Sequence, residues 1–458
     1  MLAKLPSSVL TGRGWGLCIA GVIALIAAEI LGRRDLLHLG FFLVLLPLLA
    51  ALALHLLKPG FDVGRTFRPV SIETDSTTTV RLSVRAHGSL GGIVTMAEQL
   101  PQRFGEAPSF KYPSRSPGRV GQSLYEYKLR SSHRGIYKIG PVSAEFGDPF
   151  GLSRHQNILG DVDRLTVTPA PLNLPETSVT GSRGTDGSTA TRTQANPSND
   201  DVMTREYRHG DPMRRVHWPA TARAGELMVR QEESVTTPEA TIIMDQRAAS
   251  FSSSAFTPLA ESVPAKDSLL TTVNFEWAVT AAVSIAHHLV ERNYAIRVLD
   301  SYASAGLHRS ASSPWPDEEE FSSSVGLHNL SEGLAALELE PDAGPSRTSA
   351  PKRAFGDALL DKLAMHKLRG PLIAITGRLS PDEARELASA AEYGSHAFAL
   401  VIVDRPNDLE PVLDILRHGG WRAVAVSSKT PLPSAWSYYD APQTHSSSTA
   451  RTTIGTRT

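Results

Sequence analysis

Two long apolar runs open the chain, and their pattern predicts a helical hairpin in a membrane. The first run, Trp15–Leu31, is just long enough to span a bilayer, and its Glu29 lies near one end, where it can reach the interface. The second run, Leu36–Leu57, is longer and contains Pro47, which a membrane helix tolerates as a kink. Because only a short polar loop separates the runs, we expect a transmembrane hairpin over residues 1–58.

Two other interpretations of these runs are disfavoured. A signal peptide would need a polar, small-residue cleavage region between the runs, and the sequence has none there. Two core helices of a soluble protein would each need a polar face, and only His38 and His55, near its ends, interrupt the second run. The pattern therefore favours a multi-pass protein of the cell membrane with two helices.

The distribution of lysine and arginine near the ends of the runs predicts the orientation. The loop between the runs offers Arg33 and Arg34. The opposite side offers more basic residues: Lys4, Arg13, Lys58, Arg65 and Arg68. This excess predicts that both termini, and the soluble domains after Lys58, lie in the cytoplasm.

The polar pattern changes to a period of two after the hairpin. In TTTVRLSVRA, Val80, Leu82 and Val84 alternate with polar residues, as in a half-buried strand. Similar short segments recur, separated by proline- and glycine-rich loops: Ser123–Arg130, Pro141–Phe146 and Leu165–Pro169. Several short strands at this spacing predict an antiparallel β-sandwich domain over residues 59–172.

Residues 173–201 are rich in serine, threonine and glycine and poor in large apolar residues, which predicts a flexible linker or long loop. From 202 to 440 short apolar strands alternate with segments of helical period, which predicts an α/β domain with a largely parallel sheet. The expected strands are Thr241–Asp245, Ala295–Asp300, Leu372–Thr376, Ala397–Asp404 and Arg422–Val426. Ser301–Gly326 is expected to be an insertion or surface loop, and 441–458 a disordered tail.

Charge and cysteine content narrow the function further. The 458 residues carry 46 lysines and arginines against 47 acidic residues, a balance that argues against a general nucleic-acid or anionic-membrane binder. The one cysteine, Cys18, excludes an internal disulfide and a multi-cysteine metal site.

The densest group of special residues is Arg205–Arg230, REYRHGDPMRRVHWPATARAGELMVR. Asp211 followed by Pro212 predicts a helix start, and Gly225 a helix end before a short strand. Its surplus of arginine suits either a hydrogen-bonded clasp between domains or a surface for an anionic partner. Because Tyr207, Trp218 and Val216 suggest a partly buried setting, the clasp is the favoured interpretation.

This segment resembles the hallmark of the bacterial family called domain of unknown function 58. The family has Arg-Glu-Tyr, Gly-Asp, one or two arginines, His-Trp and Ala-Arg in this order. The matching residues here are Arg205, Tyr207, Gly210, Asp211, Arg214, Arg215, His217, Trp218 and Arg223. RGIYKIGP (134–141) and DPFGL (148–152) also look like segments of the family. The resemblance implies an architecture but no reaction.

The resemblance further implies that the α/β domain is of the von Willebrand factor A type, a fold that usually binds a divalent cation. Its Asp-x-Ser-x-Ser loop would fall here on Asp245, Arg247 and Ala249, so neither serine is present. Hard cations need several oxygen ligands together, and Arg247 would compete for the charge of Asp245. We therefore expect a degenerate site without metal, and no cofactor.

No motif for a hydrolase, a nucleotide-binding loop or a zinc protease is present. The sequence favours a non-enzymatic, membrane-tethered scaffold or adaptor. The family resemblance implies a cytoplasmic protein partner, a MoxR-type AAA+ ATPase. Two alternatives remain open: an enzyme that uses His217 as a general base oriented by Asp211, and a cation-dependent adhesion module.

Overall fold

The computed structural model describes most of the chain in detail. The described residues are 10–56, 60–87, 94–112, 122–180, 204–208, 213, 216–230, 238–252, 269–341, 353–365 and 370–441. The predicted tail, 441–458, lies outside this part of the chain apart from its first residue.

Two apolar helices, α1 (Gly12–Leu31) and α2 (Arg34–Leu56), pack against each other at the start of the chain. Both are long and apolar enough to cross a membrane. Gly21 and Gly40 face each other where the helices cross: a Cβ atom added to either would lie 3.0 Å from the carbonyl oxygen of the other. Small residues at this point let the two backbones approach closely, as they do in packed membrane helices. The two N-terminal helices are therefore compatible with the predicted hairpin.

In the described residues between 60 and 168, ten short strands form three sheets. Their bounds are β1 (Gly60–Arg68), β2 (Ser71–Glu73), β3 (Thr77–His87), β4 (Val94–Glu98), β5 (Ser109–Tyr112), β6 (Gln122–Arg130), β7 (Gly135–Ile139), β8 (Val142–Gly147), β9 (Arg154–Leu159) and β10 (Asp163–Thr168). The sheet orders are β1-β3-β6, β2-β10-β7 and β5-β4-β8-β9. All pairs are antiparallel except β2 with β10, which is parallel and so departs from the fully antiparallel expectation.

The inward side chains of β3 serve two cores. Leu82 and Val84 pack with Met96 and Ala144 of the four-stranded sheet, and Val80 packs with Leu165 and its neighbours in the β2-β10-β7 sheet. The alternation seen in TTTVRLSVRA therefore does place its apolar side chains inward. The β1-β3-β6 sheet covers the other two.

Arg65, which the charge count placed near the membrane surface, is instead a buried structural residue. Its side chain is 2% exposed and contacts Glu98 at 2.5 Å and Asp163 at 2.5 Å. Tyr127 donates a hydrogen bond to the same Glu98 at 3.0 Å. Burial lowers the pKa of Arg65, but the charge of Glu98 and hydrogen bonds to both acids raise it overall. This guanidinium ties three strands together.

The segment that follows β10 packs against the α/β domain of residues 239–440 and is not an extended linker. Val179 is 1% exposed within the α/β core. The backbone N–H of Leu172 donates to Ser284, and the Trp436 indole donates to the carbonyl of Pro175 at 3.1 Å. Residues 173–180 thus differ from the predicted flexible linker, because proline and leucine there cover an apolar surface; 181–201 lie outside the described residues.

A six-stranded sheet forms the centre of the α/β part. Its strands are β13 (Glu239–Met244), β14 (Ala295–Asp300), β15 (Glu320–Phe321), β16 (Pro371–Thr376), β17 (His396–Ile402) and β18 (Arg422–Val426). Their order is β15-β14-β13-β16-β17-β18, parallel except for the edge strand β15. The first strand therefore lies in the middle, and the order reverses between β13 and β16. In such sheets this reversal, at the carboxyl edge, is the usual place for a binding site.

Helices cover both faces of the sheet. They are α4 (Ala248–Phe251), α5 (Val273–Val290), α6 (Ser323–Ala335), α7 (Asp357–Ala364), α8 (Pro381–Ser389), α9 (Glu410–His418) and α10 (Leu432–Ser437). One core lies under α5, α6 and α10, and the other under α7, α8 and α9. Strands buried on both faces read as continuous apolar runs, which is why the sequence located them well.

Helix α6 is the main element that the sequence analysis missed, since its first residues fell in a predicted surface loop. Serine and glycine are weak helix formers, and SSSVGLHNLSEGLA is rich in both. Leu330 and Leu334 are buried against the core, 1% and 0% exposed. Tertiary packing therefore stabilises a helix that local propensity does not predict.

Candidate functional site

The arginine-rich segment folds into a small unit of two strands and one helix. Strand β11 (Thr204–Glu206) pairs antiparallel with β12 (Met228–Arg230), and α3 (Trp218–Ala224) lies between them in sequence. We call residues 204–208, 213 and 216–230 the motif unit. The backbone N–H of Tyr207 donates to the carbonyl of Leu227 at 2.8 Å, which extends the ladder.

The ends of α3 are fixed by specific caps. His217 is the N-cap, and its ring Nδ1 accepts a hydrogen bond from the backbone N–H of Ala220 at 3.2 Å. Gly225 ends the helix in the left-handed conformation, with φ of 77°, as the sequence predicts. The predicted helix start at Asp211 lies outside the described residues; in the part that is described, His217 takes the capping role.

Hydrogen bonds also join α3 to the strand that follows it. The hydroxyl of Thr221 accepts from the backbone N–H of Met228 at 3.0 Å, and the N–H of His217 donates to the carbonyl of Met228 at 2.8 Å. Val216 and Val229 are 7% and 1% exposed and form a backbone bridge with each other. The unit is thus locally well defined.

Trp218 points to solvent, with 63% of its surface exposed. The expectation of a partly buried setting is therefore wrong for Trp218. Five positions of α3 are exposed, and four of them are Trp218, Pro219, Ala222 and Arg223. Residues four apart lie on one face of a helix, so Ala222 and Arg223 stand behind Trp218 and Pro219. We call these four residues the Trp218 surface.

The other residues of the family hallmark are only partly described. Arg205 lies in β11, opposite Val229. Tyr207 is half-buried, and Arg208 is exposed. The remaining hallmark residues, Gly210, Asp211, Arg214 and Arg215, lie outside the described residues. The structure therefore brings Tyr207, His217, Trp218 and Arg223 into one small unit.

A second group of charges lies at the carboxyl edge of the sheet, beyond β13. Asp245 has a fully buried side chain, and Arg247 binds it through two nitrogens, Nε at 2.9 Å and Nη2 at 2.8 Å. The Nη1 atom of Arg247 contacts Glu383 at the start of α8. The same guanidinium stacks 5.4 Å from the ring centre of Phe355. The guanidinium of Arg247 thus joins Asp245, which follows β13, to Glu383 in α8.

These contacts shift the acid–base behaviour of the group. Burial lowers the pKa of Arg247, but hydrogen bonds with Asp245 and Glu383, together with their charges, raise it well above its ordinary value. Burial raises the pKa of Glu383, but the N–H of Ser380 and the Arg247 guanidinium lower it overall. The raised pKa of Arg247 and the lowered pKa of Glu383 keep these two groups charged at neutral pH, and the guanidinium satisfies the acids that a cation would need.

Ala249, the third position of the predicted degenerate site, does not contribute to this cluster. Ala249 lies in α4 and is exposed. Among the described residues, no group of three or more histidine, cysteine, aspartate or glutamate side chains could hold a metal ion. A cavity of about 600 Å³ beside the cluster is lined by three basic and three acidic residues, Arg247, Arg353, Arg385, Asp382, Glu383 and Glu386, together with Tyr302 and Ala354. Its balanced charges favour no ionic ligand of one sign.

Divalent cations are expected to leave the stability of the chain unchanged. A cation that binds only the folded state would raise the melting temperature by mass action, and here the Arg247 guanidinium already occupies the acids. Thermal melts of the detergent-solubilised chain with and without millimolar Mg²⁺ or Mn²⁺ check this. A saturable rise that Asp245→Ala abolishes would show that the site does take a metal.

Arg134 makes the clasp between two parts of the molecule: the sheets of β1–β10, which we call the β part, and the six-stranded sheet with its helices, which we call the α/β part. The sequence analysis did not single out this residue. Its guanidinium, 2% exposed, forms a double contact with Glu276 of α5 at 2.9 Å. It also donates to the carbonyls of Leu334 and Leu337, at 2.5 Å and 2.8 Å, at the end of α6. Arg134 begins RGIYKIGP, one of the segments that resemble the family, but nothing in that segment alone indicates a contact with α5 and α6.

A comparison with known families gives one match, which covers part of the chain. The model of the family described as "Protein of unknown function DUF58" matches residues 203–293, from the start of the motif unit to the end of α5. This match supports the DUF58 family. It covers the hallmark residues of this family and the Asp245–Ala249 loop, but neither the apolar helices nor the β sheets that follow them.

Comparisons with curated proteins and with solved structures do not indicate a function for this chain. No curated protein matches the sequence. Among solved structures, a structural genomics target, SoR45, is 13% identical, with 26% of this chain and 93% of that chain covered and a TM-score of 0.14. Cwp6 from Clostridium difficile is 8% identical, with 80% and 53% covered and a TM-score of 0.15. A putative beta-galactosidase from Bacteroides fragilis is 11% identical, with 80% and 38% covered and a TM-score of 0.14.

Proposed function

We propose that this protein is a membrane-tethered, non-catalytic scaffold whose Trp218 surface binds a protein partner in the cytoplasm. The observation that carries the proposal is the 63% exposure of Trp218 on a helix whose two ends are capped. Tryptophan and arginine are the residues that most often dominate binding energy at protein interfaces. A large exposed aromatic ring on a well-defined helix suits a binding surface, and the clasp role falls to Arg134 instead.

The membrane tether is supported by the length and apolar character of α1 and α2. The proposed cytoplasmic orientation is supported by the basic residues near the free ends of the helices. With Arg65 removed from the count, because it is buried with Glu98, four remain: Lys4, Arg13, Lys58 and Arg68. They still outnumber Arg33 and Arg34 of the connecting loop.

We further propose that the β part is a sandwich and that the α/β part is a degenerate von Willebrand factor A-type domain. Support for the first is the packing of the β1-β3-β6 sheet over the other two sheets. Support for the second is the strand order, with the first strand central and one antiparallel edge strand. Arg247 in contact with Asp245 supports the view that the cation site is lost.

The proposed partner is a MoxR-type AAA+ ATPase, as the family resemblance implies. An enzyme that uses His217 and Asp211 is a weaker candidate, because the Nδ1 atom of His217 accepts the capping hydrogen bond of α3. A cation-dependent adhesion module is weaker too, because Arg247 occupies Asp245. A non-catalytic scaffold is consistent with both the capping role of His217 and the contact of Arg247 with Asp245.

Replacing Trp218 with alanine is expected to leave stability unchanged and to weaken partner binding. An exposed side chain contributes little to folding, whereas loss of an interface hot spot costs at least about 2 kcal/mol, or roughly thirty-fold in affinity. The measurement is the dissociation constant of the detergent-solubilised chain for a MoxR-type ATPase from the same genome, alongside thermal melts.

Trp315→Ala is the matched control, since Trp315 is 65% exposed but lies outside the motif unit. We expect this variant to bind the partner like the unmodified chain. Equal binding by Trp218→Ala and Trp315→Ala would exclude the Trp218 surface as the docking site. A severely destabilised Trp218→Ala would instead support a clasp.

A further inference from the structure

The turn between β8 and β9 presents one exposed aromatic ring on a rigid support. Phe150 lies at its tip and is 66% exposed. The carboxylate of Asp148 holds the turn by accepting from the N–H of Phe150 at 2.8 Å and from the hydroxyl of Ser153 at 3.0 Å. Gly151 supplies the left-handed backbone, with φ of 68°. These contacts hold the turn with Phe150 at its exposed tip.

This turn is attached to the first turn of α1. The backbone N–H of Thr11 donates to the carbonyl of Leu152 at 2.9 Å, and its hydroxyl donates to the carbonyl of Gly151 at 2.7 Å. Gly14 is in such close contact that an added Cβ atom would lie 2.1 Å from the carbonyl oxygen of Leu152. The tip of the turn is therefore held at the N-terminal end of α1.

The end of α2 meets the same part of the molecule. Leu54 packs against the core formed by Leu82, Met96 and their neighbours, and α2 contacts β9. In an antiparallel hairpin the start of α1 and the end of α2 lie at one end. The β part is thus held directly at the level where both helices would leave the membrane.

The residues around Phe150 are those that favour a membrane interface. Arg13 is exposed, and its guanidinium lies beside Gly151. Trp15 lies two residues further along α1 and is 55% exposed. Aromatic rings and arginine side chains concentrate where apolar lipid meets the headgroups. The acid in the turn, Asp148, is occupied by its own hydrogen bonds, and its pKa is lowered, because hydrogen bonds from Ser153 and Phe150 outweigh the raising effect of burial.

We propose that Phe150 inserts into the headgroup layer of the membrane that α1 and α2 cross, so that the β part rests on the lipid surface at a fixed angle. This inference rests on the membrane anchoring of the proposed function. The occupant of the surface is lipid, because the aromatic ring lies beside the first turn of a helix whose remaining length is apolar. Phe150 then acts as a third contact point beside the two helices.

The test places an environment-sensitive fluorophore on single cysteines in the full chain, reconstituted in nanodiscs, with Cys18 replaced by alanine. The labelled sites are Phe150→Cys, Ile23→Cys in α1 and Val70→Cys. Val70 is 71% exposed and lies two residues beyond the far end of β1, a strand that extends roughly 25–30 Å from Gly60 to Arg68. A further label at Pro149, which is exposed, repeats the measurement with Phe150 in place. Quenching by lipids with a nitroxide in the headgroup region is compared with quenching by lipids with a deep nitroxide.

We expect labels at 150 and 149 to be quenched by headgroup nitroxides several-fold more than the label at 70, and the label at 23 to be quenched by deep nitroxides. If 23 is quenched but 149 and 150 behave like 70, the membrane anchor stands and the contact of Phe150 with lipid is refuted. If 23 is not quenched either, the membrane anchor itself is refuted together with this inference.

Discussion

Replacing Arg134 with alanine is expected to destabilise the chain by about 3–5 kcal/mol, since removing one partner of a buried ion pair leaves the other uncompensated. The guanidinium is 2% exposed and bonds Glu276 as well as carbonyls at the end of α6. Its loss would remove these contacts at the junction between the β part and the α/β part and leave Glu276 with the Thr271 hydroxyl but no counter-charge. The melting temperature should fall by on the order of 10 °C.

Tryptophan fluorescence is a suitable probe for this measurement, because Trp421 and Trp436 are buried in the α/β part and residues 60–172 contain no tryptophan. Arg130→Ala is the matched control. Arg130 lies four residues away and pairs with Asp75 at 3.3 Å in an exposed contact, which is worth at most about 1 kcal/mol. Equal melting temperatures for the two variants would show that Arg134 does not clasp the two parts.

Replacing Arg247 with alanine is expected to have a similar effect, about 3–5 kcal/mol, at the carboxyl edge of the sheet. The variant would leave the fully buried carboxylate of Asp245 without a counter-charge and Glu383 without its contact. Chemical unfolding of the solubilised chain, followed by the same fluorescence, gives the change in free energy of unfolding.

Arg385→Ala provides the comparison for this change. Arg385 lines the same cavity but forms an exposed pair with Asp382, one turn apart on α8, so its loss should cost well under about 1 kcal/mol. A stable Arg247→Ala variant would mean that Asp245 is neutral or hydrated in the folded chain, and the argument for a resident guanidinium would fail.

The sequence predicted the bounds of an element best where the element is a continuous apolar run. Strands β14 and β18 have the predicted bounds, and the apolar helices begin and end within a few residues of their predicted ends. These elements are buried on both faces or apolar all round, so local pattern and tertiary environment agree. Pattern reasoning missed α6, the short strand β15 and the packing of 173–180, because each depends on contacts far away in sequence.

The candidate site was predicted less well than the fold. The loss of serines at Arg247 and Ala249 indicated a changed cation site, and the structure adds that Arg247 binds Asp245 and Glu383. The exposure of Trp218 was not predictable, because an apolar ring next to valine and tyrosine looks the same whether it is buried or presented to a partner. Arg134 could have been found only by knowing that the start of β7 meets α5 and α6.

The most direct test of the scaffold is cross-linking in living cells. A photoreactive amino acid replaces Trp218 in one variant and Trp315 in another, both in the full chain with a MoxR-type ATPase of the same genome present. The account predicts that position 218 cross-links to the ATPase and that position 315 does not, which also requires the motif unit to face the cytoplasm. Absence of a cross-link from 218, or equal cross-linking from both positions, would contradict it.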